Sequence, residues 1–129
     1  MPSGKRHYRL TLADAFSAHE RALRTGGFPG IRYQHQIEAA IARPYSGYHR
    51  AISKKAAVLV QSVSGNHGFV DGNKRTAIIL AHLLIQRSGY QLVSADLDLE
   101  IEQMVLNLEC HRLTLGQAVE WFRQRLHRA

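Results

Sequence analysis

Apolar and polar residues follow a helical period through the first part of the chain. Thr11 is followed three residues later by Asp14, a spacing typical of a capping box that opens a helix, and the glycines at 26–27 predict its end. A second helix is predicted from about Gln34 to just before Pro44, because proline cannot continue a helix. The first 44 residues therefore indicate two helices joined by a glycine-rich turn.

The same period continues through the middle of the chain. A third helix is predicted to begin at residue 52 or 53 and to end near Gly65. The residues that share its apolar face are Ala56, Val60 and Val63. A fourth helix is predicted from about Asn73 to Ser88, where Gly89 can end it. A short loop rich in functional groups lies between these two helices.

The last third of the chain predicts two more helices after a short extended segment at 90–93. An acidic stretch at 96–102 leads into the fifth predicted helix. Its apolar face carries Ile101, Val105 and Leu108. Thr114 and Gln117 form a second capping box, which opens a helix through about Leu126. The pattern predicts a compact all-α fold.

The chain of 129 residues is long enough for one domain with a substantial core. We therefore expect a single domain over residues 1–129, with residues 1–10 as candidates for a flexible end. Its one cysteine, Cys110, cannot form an internal disulfide, and residues 1–9 are polar and basic. The apolar stretch at 77–85 is about half the length that spans a bilayer. These features favour a cytoplasmic protein without a membrane segment.

Charge narrows the choice of partners. Seventeen Lys and Arg residues against ten Asp and Glu residues give a formal net charge of +7, which favours RNA, an acidic protein or a nucleotide as a partner. The basic residues are scattered, and no nucleic-acid motif accompanies them. A nucleic-acid partner is therefore the weaker interpretation.

The stretch from residue 67 to residue 77 reads His-Gly-Phe-Val-Asp-Gly-Asn-Lys-Arg-Thr-Ala and carries the chemistry of a phosphate site. A loop that leads into a helix N-terminus presents free backbone N–H groups and partial positive charge. Gly72 allows a close approach of the backbone, while Lys74 and Arg75 add full positive charges. We interpret Gly72, Asn73, Lys74 and Arg75 as candidate phosphate-binding residues. Asn73 is also a candidate cap for the helix.

Two further residues of this stretch suggest catalysis. Asp71 is a candidate Mg²⁺ ligand, since Mg²⁺ prefers one or two carboxylates together with substrate phosphates. His67 is a candidate general base, because an ordinary imidazole titrates near neutral pH. Phe69 lies between polar positions and is interpreted as a structural anchor for the loop.

This stretch resembles the signature of the Fic superfamily, His-x-Phe-x-Asp/Glu-x-Asn-x-Arg, and the ending Asn-Lys-Arg-Thr-Ala is similar to its death-on-curing (Doc) branch of toxin–antitoxin toxins. Further similarity lies between residues 12 and 44, including Gly-Gly-Phe-Pro-Gly-Ile-Arg at 26–32. The resemblance implies a Fic-type helical bundle with the motif loop between two central helices. The roles of His19, Arg32 and Arg43, which lie in the similar segment, stay open.

The Doc resemblance also implies a function. Such a toxin transfers the γ-phosphoryl group of ATP, with Mg²⁺, to a hydroxyl group of elongation factor Tu and so arrests translation. Because the chain lacks the self-inhibitory helix of many Fic proteins, we expect restraint by a separate antitoxin protein. The resemblance implies that this antitoxin is partly disordered, and the net charge of +7 favours an acidic one.

Departures from the commoner Fic pattern leave alternatives open. Adenylylating relatives have glycine where Lys74 stands and a second arginine where Ile78 stands, which favours phosphorylation here. Gly72 departs from the Doc pattern, where alanine can occur, so transfer of AMP stays an alternative. An RNA-binding or RNA-cleaving toxin is a weaker one, because RNA cleavage by a histidine needs no magnesium carboxylate.

Overall fold

The computed structural model describes residues 7–47 and 49–129. Within these residues the chain forms six α-helices and two short strands. The helices are α1 Leu12–Ala22, α2 Gln34–Ala42, α3 Ile52–Asn66, α4 Asn73–Arg87, α5 Leu97–Glu109 and α6 Leu115–Arg125, and the strands are β1 Tyr90–Leu92 and β2 Leu126–Arg128. The predicted helical class is confirmed, and every predicted helix is present.

The two helices that flank the motif loop form the centre of the bundle. Helix α3 packs against α4, and α2, α5 and α6 also pack on α3, while α1 packs on α4. Large side chains that are fully buried in this core include Leu59, Val60, Leu80, Leu84, Ile85 and Phe122. Burial of such a side chain contributes about 1.5–3 kcal/mol, so the core holds the ends of α3 and α4 in a fixed relation. The predicted position of the motif loop between two central helices is confirmed.

Local capping sets the starts of two outer helices. The side-chain oxygen of Thr11 accepts a hydrogen bond from the Asp14 N–H, and the Asp14 carboxylate accepts one from the Thr11 N–H. Thr114 and Gln117 form the same reciprocal pair at the start of α6. Each pair satisfies two N–H groups that the helix itself leaves free. Both predicted capping boxes are confirmed.

The two strands pair antiparallel, with Tyr90 opposite Arg128 and Leu92 opposite Leu126. The sequence indicated an extended segment at 90–93 and a last helix through about Leu126, without a strand after it. The helix ends at Arg125 and β2 follows it directly. Strand β2 has no local signal, because its hydrogen-bond partner lies more than thirty residues earlier in the chain.

The first described residues are attached to the bundle. The Tyr8 N–H donates to Ser88 Oγ at 2.9 Å, and the Tyr45 hydroxyl donates to the Tyr8 carbonyl at 2.6 Å and accepts the Leu10 N–H at 2.9 Å. Leu10 is buried. Residues 1–6 of the expected flexible end lie outside the described residues.

None of the helices in the described parts of the chain is long and apolar enough to cross a membrane.

The loop between α1 and α2 pairs with the motif loop. The Arg32 and Tyr33 N–H groups both donate to the Gly68 carbonyl, at 2.8 and 2.9 Å, and the Val70 N–H donates to the Gly30 carbonyl at 3.0 Å. Ile31 and Phe69 form an antiparallel bridge between these bonds. The motif loop is therefore held from its outer side by a second loop as well as by its two helices.

We expect Gly68→Ala to destabilise the fold. A Cβ atom at Gly68 would lie 2.5 Å from Ile37 Cγ1 and 3.1 Å from the Ile37 backbone nitrogen, so α2 would have to move away from the motif loop. Such overpacking costs about 1–3 kcal/mol, which urea unfolding measures. The matched control is Gly65→Ala in α3, where a Cβ meets nothing within 4 Å and alanine favours the helix. Equal stability of the two variants would contradict the close approach of Ile37.

Candidate active site

The motif loop begins with a reversal of the backbone at the end of α3. His67 follows the last residue of the helix in the left-handed conformation, with φ of 50°, and its side chain is exposed. This conformation ends helices, and histidine tolerates it better than most residues other than glycine. The imidazole therefore stands at the surface, free of the packing that would restrict access to it.

Phe69 points in the opposite direction, into the core. Its ring is 1% exposed, lies face to face with the His19 ring at a centroid distance of 3.9 Å, and meets the Phe16 ring edge-on at 6.4 Å. The Asn73 side chain binds the backbone of the same residue twice: its Oδ1 accepts the Phe69 N–H at 3.1 Å, and its Nδ2 donates to the Phe69 carbonyl at 3.0 Å. The predicted anchor position is thus fixed through both its ring and its backbone.

The side chain of Asn73 does not cap α4, so that prediction was wrong. Gly72 occupies the N-cap position with φ of 77°, and no side chain of the described residues caps this helix. The buried N–H and carbonyl of Phe69 need partners more than the exposed helix end does, since buried polar backbone groups are costly when unpaired. The first N–H groups of α4 have no intrahelical partner and are available to a ligand.

Asp71 accepts backbone hydrogen bonds on both carboxylate oxygens. The Phe28 N–H donates to Oδ2 at 3.1 Å and the Gly72 N–H donates to Oδ1 at 2.8 Å. The Phe28 and Gly72 N–H groups, together with the nearby charge of Arg75, lower the pKa of Asp71 below its ordinary value, because they stabilise the charged form. The carboxylate is therefore ionised at neutral pH.

The two cations of the motif lie at the start of α4. Lys74 Nζ is 3.3 Å from Glu109 Oε1 at the end of α5, and both side chains are partly exposed to solvent. The Arg75 guanidinium makes two long contacts, 3.5 Å to the Ala22 carbonyl and 3.4 Å to the Gly26 carbonyl. These contacts orient the cations around the helix N-terminus without burying them.

A cavity of about 530 Å³ joins these groups. Of the candidate catalytic, metal-binding and phosphate-binding residues, all six line it: His67, Asp71, Gly72, Asn73, Lys74 and Arg75. Phe69 lies beneath it in the core, and neither Arg32 nor Arg43 is among its lining residues. The pairing of the two loops and the ends of α3 and α4 thus bring the polar side chains of the motif together at one cavity.

Sequence reasoning missed several residues of this cavity. Glu109 lines it from α5, and Thr25, Gly26 and Gly27 line it from the turn after α1. The two glycines were noted for a turn and for the resemblance, but nothing in the sequence links Glu109 to a lysine thirty-five residues earlier. This contact depends on how α5 packs beside α4.

The donor set fits Mg²⁺ only in company with phosphates. In the described parts of the chain, no group of three His, Cys, Asp or Glu side chains is placed to hold a metal ion. Asp71 offers an ionised carboxylate with unused lone pairs, beside a helix N-terminus and two cations suited to phosphate. One protein carboxylate with substrate phosphates is a common arrangement for Mg²⁺.

The sequence was compared with known protein families and curated proteins. The sequence model of the Fic/DOC family matches residues 9–85, more than half of the chain, and the chain therefore belongs to the Fic/DOC family. It is similar to Toxin Doc of Mycolicibacterium smegmatis, with 39% identity over 88 residues. That match covers 64% of this chain and 66% of the relative, which is just under two thirds of its length. The predicted resemblance to the Fic superfamily and its Doc branch is confirmed.

We expect the stability contribution of Asp71 to disappear in acid. Because the folded pKa of Asp71 is lowered, its hydrogen bonds stabilise the fold above the ordinary aspartate pKa, and the stabilisation is lost as pH falls through the lowered value. Asp71→Asn should therefore be less stable than the parent protein at neutral pH, and the difference should shrink at acid pH. Urea unfolding of both proteins across this range measures it. A difference that does not vary with pH would contradict the lowered pKa.

Proposed function

We propose that this protein is a Doc-like toxin of a toxin–antitoxin module, which transfers the γ-phosphoryl group of ATP to a hydroxyl group of a host protein in the cytoplasm. The proposed target, taken from the family resemblance, is elongation factor Tu, so that translation stops. The observation that carries the proposal is one cavity in which an exposed imidazole, an ionised carboxylate and a cationic helix N-terminus meet.

In the proposed reaction His67 acts as the general base. It takes the proton of the attacking hydroxyl, whose oxygen forms a bond to the γ-phosphorus. The bond from that phosphorus to the bridging oxygen breaks, and ADP leaves with the electron pair. The exposure of His67 and its place on the cavity wall support this role, since a protein hydroxyl has to reach the base from outside.

The nucleotide phosphates are proposed to lie against the start of α4. Gly72 and Asn73 would contact them through the backbone, because the Asn73 side chain is already bound to Phe69. Lys74 and Arg75 would contact them through their charged side chains. Asp71 would hold Mg²⁺, which when bound neutralises charge on the phosphate oxygens.

The choice of phosphoryl over adenylyl transfer depends on the cations of the motif. Lys74 adds a charge where adenylylating relatives, by the resemblance, have glycine. Ile78 stands where their second arginine would be, and it packs against the apolar core. The cavity therefore lacks one cation that would place an α-phosphate for attack and has another that favours a different nucleotide pose.

Incubation with host lysate, Mg²⁺ and ATP labelled in either the α- or the γ-phosphate tests the proposal. We expect the γ-label, and not the α-label, to move onto a host protein. His67→Ala should reduce the rate by about 10²-fold or more, the usual effect of removing a positioned base. This variant should lose little stability, because the side chain is exposed and the only cost is that alanine tolerates the left-handed backbone at this position less well than histidine.

The matched control for this variant is His35→Ala, an exposed histidine on α2 that does not line the cavity. It should leave transfer unchanged. Transfer of the α-label alone would replace the proposal with adenylylation, and degraded RNA without labelled protein would favour an RNA-cleaving toxin. Full activity of His67→Ala would show that another group activates the hydroxyl.

We also propose that an antitoxin restrains the enzyme in trans by laying an acidic helical segment into a groove beside the motif. A second cavity of about 580 Å³ lies between the end of α1, α4 and α5. Its apolar lining includes Ala22, Ile78, Ile79, Ile101, Val105 and Leu106. Arg21, Lys74 and Arg75 add positive charge at its wall, and Asp98 and Glu102 on α5 add negative charge. An amphipathic partner would therefore place its acidic side chains toward the three cations and away from those two carboxylates. The two cavities share Thr25, Lys74 and Arg75, so an occupied groove would obstruct nucleotide binding.

Two exposed leucines of α5 give a matched test of this groove. Leu106 is 46% exposed and lines it, whereas Leu99 is 51% exposed and does not. Leu106→Glu should weaken binding of the antitoxin by about tenfold or more, because it places a charge in an apolar contact, and Leu99→Glu should not. Calorimetry with the purified partner measures both. Equal weakening, or a chain that is inactive when purified alone, would contradict the proposed restraint.

A further inference from the structure

His19 lies outside the motif but makes two close contacts with it. The residue is on α1 and is 7% exposed. Its ring is stacked on the Phe69 ring at 3.9 Å with an interplanar angle of 10°, and its Nε2 lies 2.8 Å from the Asp71 carbonyl oxygen. The second contact gives the buried ring N–H a partner and, because that partner is a carbonyl of the motif loop, ties α1 to the loop.

The contact with the Asp71 carbonyl determines that Nε2 of the His19 ring carries a proton. A carbonyl oxygen can only accept a hydrogen bond, so Nε2 has to carry a proton and donate it to Asp71. The stack on Phe69 holds the plane of the imidazole, and the hydrogen bond fixes which edge of the ring faces the motif loop. His19 is therefore oriented by a residue of the loop and in turn binds the loop two residues later.

The carbonyl that His19 binds belongs to the peptide group between Asp71 and Gly72. This group is planar, so its carbonyl and its N–H turn together. The carbonyl is held by His19, and the N–H donates to Asp71 Oδ1 at 2.8 Å. A Cβ at Gly72 would lie 3.8 Å from His19 Cδ2, which places the edge of the ring directly beside this peptide. Rotation of the peptide would take the N–H away from the carboxylate.

We propose that His19 is a positioning residue that sets the orientation of the Asp71 carboxylate for a cation bound with substrate phosphates. The inference rests on the proposed function for the role of Asp71. It assigns to α1 a direct part in shaping the site: the hydrogen bond from Nε2 holds the peptide plane, the peptide N–H holds Oδ1, and the second oxygen is held by the Phe28 N–H. Loss of the donor should release the carboxylate without exposing the core.

Two substitutions separate the donor from the stack. His19→Phe keeps an aromatic ring against Phe69 but removes the donor. His19→Gln loses the stack but places an amide N–H close to the former position of Nε2. The matched packing control is Phe16→Leu, which alters the other ring contact of Phe69 and leaves the hydrogen bond in place.

The first measurement is hydrogen exchange of the Gly72 amide by NMR in the protein without nucleotide. We expect His19→Phe to accelerate this exchange by about tenfold, the effect of losing one typical hydrogen bond, and His19→Gln to restore it to near the parental rate. Phe16→Leu should leave the exchange rate of the Gly72 amide close to the parental rate, even if this variant has a lower melting temperature.

The second measurement is phosphoryl transfer as a function of Mg²⁺ concentration at saturating ATP. His19→Phe should need about tenfold more Mg²⁺ for half-maximal rate, because a mobile carboxylate binds the cation less well, and His19→Gln should need less than His19→Phe. The control Phe16→Leu should keep the parental requirement.

The outcomes separate this inference from the proposed function. Unchanged Gly72 exchange in His19→Phe, or equal changes in His19→Phe and Phe16→Leu, would overturn the positioning role. Absence of transfer in the parent protein would overturn the proposed function, and the Gly72 exchange would still decide whether His19 holds the peptide. Altered exchange with an unaltered Mg²⁺ requirement would show that the peptide is held but that the cation does not depend on it, which also overturns the proposal.

Discussion

Burial of the Phe69 ring is the constraint on which the motif loop depends. The ring lies between His19 and Phe16 in the core, and its backbone is bound on both sides by the Asn73 side chain. Because the loop between α3 and α4 is only six residues long, fixing its third residue inward leaves the polar residues near its two ends at the cavity. The arrangement of the chemical groups therefore follows from an apolar contact on the opposite face of the loop.

Features that depend on neighbouring residues could be predicted from the sequence. Thr11 with Asp14 and Thr114 with Gln117 defined two helix starts, and the glycine at 89 marked the end of α4. Six of the seven motif residues that line the cavity were also identified, because one short segment carries them, and Val70 is the one that was not. The end of α3 and the loop after it place these residues close to one another, so their grouping could be predicted from the local sequence alone.

Features that depend on packing between distant segments could not be predicted. Strand β2 exists through its pairing with β1, and Glu109 reaches the cavity because α5 packs beside α4. The Asn73 side chain was also predicted wrongly. Its position at the start of α4 predicted a helix cap, but its amide group binds the buried backbone of Phe69 instead. The partners of β2 and Glu109 are distant in the sequence. The partner of Asn73 is only four residues away, and there the burial of Phe69, which capping rules do not consider, decides the outcome.

The ion pair of Lys74 and Glu109 gives the cavity a resident counter-ion. The nitrogen and oxygen are 3.3 Å apart, and the side chains are 47% and 27% exposed. A pair so open to water contributes about 0–1 kcal/mol, so a dissolved anion can displace Glu109 from the ammonium group at small cost. Glu109 then faces that anion with the same sign of charge. The affinity of Lys74 for an anion from solution therefore depends on how well that anion competes with the Glu109 carboxylate. Added salt weakens the attraction of Lys74 for both.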